Sequence, residues 1–117
     1  MQYLLMLHAE ESQWARFPAD EQARHMAAYG AFTQALADEG RLVASGRLAL
    51  SDTAQTVRTK GGKAVVMDGP FAETKEQVAG FYLIEAEDAQ AAAAWAARCP
   101  ASGHGVVEVR PLWTTAA

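Results

Sequence analysis

The sequence predicts one α+β domain in which an antiparallel sheet carries helices on one face. Short apolar β-type runs and two longer helical segments follow in the order β-α-β-β-β-α-β. Two of the runs, Tyr3–Leu7 and Phe81–Ile84, are apolar on both faces, which is typical of central strands. The chain has 117 residues, of which 50% are hydrophobic, so residues 1–117 are predicted to form one domain around one core.

The N-terminal half predicts two strands separated by one long helix. The segments are, in order, a strand over Gln2–His8, a loop over Glu10–Pro18, a helix over Ala19–Glu39 and a strand over Leu42–Leu50. Trp14 and Phe17 are expected to hold the loop against the core. Gly40 is placed to end the helix, and Gly46 indicates a bulge or a close backbone approach in the second strand.

The C-terminal half predicts a hairpin, a central strand, a helix and a final strand. The segments are hairpin strands over Thr53–Thr59 and Lys63–Met67, a strand over Val78–Glu85, a helix over Ala89–Arg98, a turn over Ser102–Gly105 and a strand over Val106–Arg110. The pair Gly61-Gly62 supplies the positive φ angles of a two-residue turn. Asp88 is placed to cap the helix, Pro100 stops it, and Trp113 is expected to dock on the domain.

The hairpin leads into Asp68-Gly69-Pro70-Phe71, where an apolar run meets a stiff turn and then a charged segment. The run Val65–Met67 suits a buried strand, and the turn places the carboxylate of Asp68, the ring of Phe71 and the cation of Lys75 at a strand end. Two interpretations stay open. The segment forms a binding site, or Asp68 only closes the turn by accepting hydrogen bonds from backbone N–H groups.

Without the hairpin, the element order is the split βαβ pattern of a ferredoxin-like domain, with both helices on one face of the sheet. The other face would then expose a large apolar patch, which soluble monomers rarely carry. We therefore expect a homodimer in which two sheets pack face to face, as in a dimeric α/β barrel. A cavity between the two sheets would bind a small molecule.

Composition excludes several functional classes. The net charge of −4 and the pI near 5.3 argue against a nucleic-acid-binding face, which needs clustered Lys and Arg. The lone cysteine, Cys99, leaves no intrachain disulfide or CxxC motif and fits a reducing compartment. No apolar run approaches the length of a membrane span, and the N-terminal run lacks a basic leader. We expect a soluble cytoplasmic protein without membrane or nucleic-acid partners.

Histidine and tyrosine side chains are the other candidates for chemistry. His25 stands one turn before Tyr29 on the helix, where it is either solvated or a general base near neutral pH. His8, at a strand end, is either a hydrogen-bonded boundary residue or a ligand contact. Tyr29 is either core or ligand-binding, and His104 between two glycines is expected in an exposed loop. The histidine spacing predicts no metal site, and no cofactor is expected.

Residues 65–84, above all Asp68-Gly69-Pro70-Phe71-Ala72-Glu73-Thr74-Lys75-Glu76, resemble the DGPF-type branch of the YCII-related (YciI-like) family. The opening Tyr3–His8 and the close Val107–Pro111 are similar too. The resemblance implies a dimeric ferredoxin-like α/β barrel and a link with extracytoplasmic-function sigma factors. It also implies a histidine and an aspartate at a cleft. The family histidine falls on Tyr29, and the aspartate falls near Ala9 or Glu10, so this dyad is not preserved.

Two hypotheses of function follow. In the first, the protein binds a small, partly apolar organic molecule beside the Asp68 loop, and Asp68 or His25 moves a proton in a cofactor-free isomerisation. His8, Tyr29, Gly69, Pro70, Phe71 and Lys75 would contact the ligand. In the second, the protein is a non-catalytic regulatory module that senses a ligand or binds a protein such as a sigma factor.

Overall fold

The computed structural model describes residues 1–114. It contains six strands and four helices within that range. The strands are β1 Gln2–Ala9, β2 Leu42–Arg47, β3 Gln55–Lys60, β4 Lys63–Asp68, β5 Gln77–Glu85 and β6 Val106–Pro111. The helices are α1 Glu11–Arg16, α2 Ala19–Asp38, α3 Ala89–Arg98 and α4 Ala101–His104, and a 3₁₀ turn covers Ser51–Thr53.

Four strands form one sheet in the order β2-β5-β1-β6, and every neighbouring pair is antiparallel. The two strands predicted to be central, β1 and β5, lie in the middle of the sheet. They pair in a register that places Leu5 opposite Tyr82 and Leu7 opposite Gly80. The prediction of an α+β domain with an antiparallel sheet is therefore confirmed.

The core lies on the face of the sheet that the helices cover. Alternate residues of β1 and β5, among them Leu5 and Ile84, are fully buried there, as the two-residue period of a strand requires. From α2, Phe32 packs edge-on against Tyr82, with ring centroids 5.0 Å apart. The Trp95 ring of α3 also packs edge-on against Phe32, with ring centroids 6.2 Å apart. These rings join the helices to the sheet.

Local signals place the main helices where the sequence predicts them. The Asp88 carboxylate accepts a hydrogen bond from the Ala91 N–H at 2.8 Å and caps α3. Gly40 has a φ of +69° just after α2, which is the left-handed conformation that commonly ends a helix. Among residues 1–114, no helix combines the length and the apolar character needed to cross a bilayer.

Strands β3 and β4 form a separate two-stranded sheet. Gly61 and Gly62 have φ angles of +57° and +78°, so the predicted hairpin turn is confirmed. The radius of gyration is 16.2 Å, against about 13 Å for a compact domain of this length, because the hairpin projects from the rest. The expectation that Val65–Met67 is a buried strand is wrong for the single chain. Met67 is 61% exposed, since β4 pairs with β3 alone within the described range.

Three further expectations about local structure are wrong. The predicted loop over Glu10–Pro18 contains helix α1, which long-range hydrogen bonds hold in place. The predicted turn over Ser102–Gly105 contains the last residues of helix α4, which follows Pro100. Trp113 does not dock, because its side chain is 90% exposed.

Candidate functional site

A cavity of about 350 Å³ lies on the helix-covered side of the sheet. Its floor is formed by Leu7 of β1 with Gly80 and Tyr82 of β5, and one wall by Tyr29 and Thr33 of α2. The remaining wall comes from α1, α4 and the segment after β2. The apolar part of this lining includes Leu7, Trp14, Phe17, Met26, Leu48, Leu50 and Ala101. The cavity is therefore a mostly apolar pocket with a few polar groups, which is the usual composition of small-molecule sites.

Close backbone packing shapes the floor of the cavity. A Cβ atom at Gly80 would lie 2.8 Å from the carbonyl oxygen of Gly46 on the neighbouring strand. A Cβ atom at Gly46 would lie 2.9 Å from the ring of Phe81. The predicted close approach at Gly46 is thus confirmed, and larger side chains would displace the strand that borders the cavity.

Tyr29 and His104 meet in the lining of the cavity. The hydroxyl oxygen of Tyr29 lies 3.1 Å from Nε2 of His104. His25 lies beside them, with its ring 5.2 Å from that of His104 and stacked at 4.9 Å on Phe17. Three titratable side chains from α2 and α4 therefore converge although His104 lies 75 residues beyond Tyr29 in the chain.

Burial controls the protonation of this cluster. It raises the pKa of the Tyr29 phenol well above its ordinary value, and the nearby Cys99 and Tyr82 add to the rise while Arg47 opposes it. Burial also lowers the pKa of His104, and the neighbouring His25 lowers it further. At neutral pH Tyr29 is thus a neutral phenol, and His104 is a neutral imidazole with one nitrogen able to accept a proton.

A second hydrogen-bonded group fixes the wall beneath Tyr29. The Thr33 hydroxyl donates to the Tyr29 carbonyl oxygen at 2.9 Å, and the Tyr82 hydroxyl lies 2.8 Å from the same Thr33 oxygen. Since Thr33 has one hydroxyl proton, Tyr82 must be the donor in the second bond. Burial raises the pKa of Tyr82, which keeps this donor protonated. The network joins α2 to β5 and holds Tyr29 in position.

Helix α1 contributes to the lining of the cavity, and side chains distant in the sequence hold it in place. The Glu11 carboxylate accepts hydrogen bonds from the Ser51 N–H at 2.7 Å and from the Ser51 hydroxyl at 2.8 Å. The Glu11 N–H donates to the Gln77 side-chain oxygen at 3.0 Å. These bonds position Trp14, whose ring packs against Phe17 at 6.0 Å and carries the guanidinium of Arg47 at 5.1 Å.

Of the residues proposed from the sequence, Tyr29 lines the cavity and His25 packs on its wall. The alternative in which His25 is a solvated side chain is not supported, since its side chain is only 25% exposed. His8 lies on the sheet face away from the helices, where its ring is 3.3 Å from the Glu108 carboxylate. Arg110 and His8 hold the pKa of that Glu108 carboxyl below its ordinary value.

The loop residues lie elsewhere. Asp68 is exposed at the end of β4, opposite Gln55, and Gly69, Pro70, Phe71 and Lys75 follow it outside the cavity lining. Phe71 is 78% exposed and lies under the guanidinium of Arg58, 5.3 Å from the ring centre. The structure therefore does not bring Asp68 and His25 together in one chain.

Neither the contact of His104 with Tyr29 nor the cavity within one chain was predicted from the sequence. His104 was expected in an exposed loop, but it is half-buried in α4 and contacts Tyr29. The cavity was expected between two copies beside the Asp68 loop, whereas the cavity found here lies within one chain on the opposite face of the sheet. A cavity between two copies stays a prediction. No local pattern marks His104, because a four-residue helix has no apolar period.

Metal binding finds no support in the side-chain geometry. Within the described residues, no three His, Cys, Asp or Glu side chains are grouped so as to hold an ion. Cys99 is fully buried and burial raises the pKa of its thiol, so the thiolate that would bind a metal is disfavoured.

Sequence comparison adds a family to this geometry. The profile of the YCII-related domain matches residues 1–116. The chain belongs to the YCII-related family. This YCII-related domain is 36% identical over 114 residues to an uncharacterized protein of Rhizobium meliloti (strain 1021), a match that covers 96% of this chain and 92% of the relative.

Structure comparison relates the YCII-related domain to a solved enzyme. That protein is 5-chloro-2-hydroxyhydroquinone dehydrochlorinase (TftG) from Burkholderia phenoliruptrix AC1100, in complex with 2,5-dihydroxybenzoquinone. The TM-score is 0.56 at 14% sequence identity, and the match covers 97% of this chain and 94% of the enzyme. At this identity the likeness concerns the fold.

Proposed function

We propose that this YCII-related protein binds a small, partly apolar cyclic molecule in the cavity and transfers a proton on it without a cofactor. The observation that carries the proposal is the hydrogen-bonded Tyr29–His104 pair in the lining of a cavity of about 350 Å³. This volume falls in the range of small-molecule sites. The solved enzyme of similar fold binds a hydroxylated quinone ring, which suggests a molecule of similar size for this protein.

The protonation states of the pair suit proton transfer. When the ligand takes the place of the Tyr29–His104 hydrogen bond, the freed Nε2 of the neutral His104 can accept a proton from a carbon or hydroxyl group of the ligand. The freed Tyr29 phenol can then donate a hydrogen bond to the ligand oxygen on which negative charge develops. Return of the proton to another atom of the ligand gives an isomer, so no oxidant or co-reactant is consumed. His25, the residue favoured from the sequence, adjoins His104 at 5.2 Å and would accept the proton from it or shape its basicity.

We also propose that the protein is a cytoplasmic homodimer of the DGPF branch with a ferredoxin-like α/β barrel. The strand order β2-β5-β1-β6 is compatible with the split βαβ pattern. Support for the dimer comes from the sheet face away from the helices, which carries Leu4, Met6, Phe81 and Leu83. The projecting hairpin adds exposed apolar side chains, including Val57 and Val66. Burying such surface would favour association.

A non-catalytic role is the second candidate. The loop after β4 presents Phe71, which is 78% exposed, beside the charged residues Glu73 and Lys75. An exposed aromatic side chain among charges is suited to bind a protein partner. On this hypothesis the cavity senses a ligand and the loop binds a regulatory protein such as an extracytoplasmic-function sigma factor, a partner that rests on the family resemblance alone.

The test combines a ligand screen with three variants. A library of small cyclic metabolites that includes 2,5-dihydroxybenzoquinone is screened by thermal shift. A ligand at ten times its Kd would stabilise the protein by about 1.4 kcal/mol, which is a rise in Tm of about 6 °C for a chain of this size. Each hit is then incubated in D₂O with wild type, His104→Gln, Tyr29→Phe and Asp68→Asn, and hydrogen exchange or isomerisation is followed by NMR.

The outcomes separate the hypotheses. The cavity proposal expects His104→Gln to abolish exchange and Asp68→Asn to retain it. Loss of exchange in Asp68→Asn with full activity in His104→Gln would move the chemistry to the loop. Hits that bind without any exchange would favour the sensing module, which a pull-down with Phe71→Ala and Lys75→Ala variants would then examine.

A further inference from the structure

Arg47 places a cation in the lining of the cavity. It ends β2 and lines the cavity together with Trp14. Its guanidinium lies over the Trp14 ring at 5.1 Å, which orients the planar group without neutralising it. Within residues 1–114, no carboxylate approaches Arg47 to within ion-pair distance, although most of the other arginines there have such a partner.

The two carboxylates of the cavity lining already have other partners. Both oxygens of Glu11 accept hydrogen bonds from Ser51. Glu10 accepts a hydrogen bond from the Ser12 hydroxyl at 2.9 Å and lies 3.9 Å from the Arg16 guanidinium. Arg47 is thus the charged group of the lining whose donors are not engaged by a side-chain acceptor of this chain.

The guanidinium of Arg47 and the Tyr29–His104 pair can contact the same ligand. Arg47, Tyr29 and His104 line the same cavity, and the positive charge of Arg47 opposes the rise in the pKa of Tyr29 that burial causes. A ligand in this cavity would therefore meet a planar cation, apolar side chains and a hydrogen-bonded pair.

We infer that Arg47 is an anion-binding subsite and that the cavity takes a small ring-bearing carboxylate. The guanidinium presents parallel N–H donors that match the two carboxylate oxygens. The ring would lie against the apolar wall, between Trp14 and the floor. This inference rests on the proposed function, because it names the class of molecule that enters the same cavity.

The test compares benzoate with benzamide, a neutral molecule of nearly the same shape. Affinities of the full chain are measured by isothermal titration calorimetry at low salt. We expect wild type to bind benzoate about tenfold more tightly than benzamide, the size of one charge-assisted contact. The preference should shrink as salt is added, because Arg47 is exposed to solvent. Arg47→Gln should bind both molecules equally, and Arg47→Lys should retain part of the preference because it keeps the charge but loses the paired donors.

Arg58→Gln is the matched control. Arg58 also lies over an aromatic ring, that of Phe71, but it belongs to the hairpin and does not line the cavity. The variant should keep the wild-type preference. Thermal melts of all variants check that the fold is intact.

Failure of this inference can be distinguished from failure of the proposed function. If both molecules bind equally to wild type, or if Arg47→Gln keeps the preference for benzoate, the cavity binds ligands but Arg47 is not an anion subsite. If Arg58→Gln loses the preference instead, the anion binds at the hairpin, which also overturns the inference. If neither molecule binds to wild type at millimolar concentration and no hit emerges from the ligand screen, the proposed function fails and the inference fails with it.

Discussion

Gly30 offers a way to separate the stability of helix α2 from the function of the cavity. It lies in the middle of Ala19–Asp38 and lines the cavity, and a Cβ atom built on it meets nothing within 4 Å. Gly30→Ala should therefore stabilise the protein by about 0.5–1 kcal/mol, because glycine in a helix interior loses more backbone entropy on folding than alanine does. For a domain of this size the rise in Tm is about 2–4 °C.

A larger side chain at the same position should block the ligand. Leucine is nearly as good a helix former as alanine, so Gly30→Leu should fold while its side chain occupies the cavity. We expect thermal unfolding to show a Tm at or above the wild-type value and the ligand affinity of Gly30→Leu to fall at least about tenfold. Ala28→Gly, at an exposed position of the same helix, is the control and should lower Tm by about 2–4 °C. A lower Tm for Gly30→Ala, or unchanged binding by Gly30→Leu, would refute the reasoning.

The remaining predictions concern the core, a helix cap and a titrating side chain. Leu36→Ala should destabilise the fold by about 2–5 kcal/mol in denaturant titration, because the side chain is fully buried; a loss well under 1 kcal/mol would mean that the core is looser than described. Asp88→Ala should lower the free energy of unfolding by about 1 kcal/mol, because the Ala91 N–H loses its acceptor, and Asp88→Asn should recover most of the loss. Burial and the neighbouring His25 hold the pKa of His104 below its ordinary value, so the unfolded chain binds more protons and stability falls as the pH drops below about 6.5. Urea midpoints at pH 8 and pH 5 should differ less in His104→Gln than in wild type, and an equal or larger difference would contradict this.

Much of the fold could be predicted because its signals are local. Asp88 caps α3, Gly40 follows the end of α2, and Gly61-Gly62 makes the hairpin turn. Each of these signals can be recognised from a few neighbouring residues. The alternation of buried residues in β1 and β5 can likewise be predicted, because the side chains of a strand alternate between its two faces with a period of two residues.

The site could not be predicted in the same way because its contacts are distant. Helix α1 has six residues, too few to form by itself, and depends on the bonds of Glu11 to a serine 40 residues away. The pairing of Tyr29 with His104 spans 75 residues. The cavity forms only when α1 and α4 lie against α2, so the sequence of neither helix alone predicts it. The segment with the strongest local pattern, Asp68–Phe71, lies at the end of the projecting hairpin and outside the cavity lining.

That hairpin is modular. Its base is closed where the Gly69 N–H donates to the Ala54 carbonyl oxygen at 2.7 Å and the Thr56 hydroxyl donates to the Gly69 carbonyl oxygen at 2.8 Å. The chain therefore leaves and re-enters the body at nearly one point, where a short linker from Ala54 to Gly69 could replace both strands. A trimmed protein of this kind would retain the four-stranded sheet and every residue of the cavity lining. The hairpin can thus lengthen, shorten or change its sequence over evolution without altering the cavity that Tyr29 and His104 line.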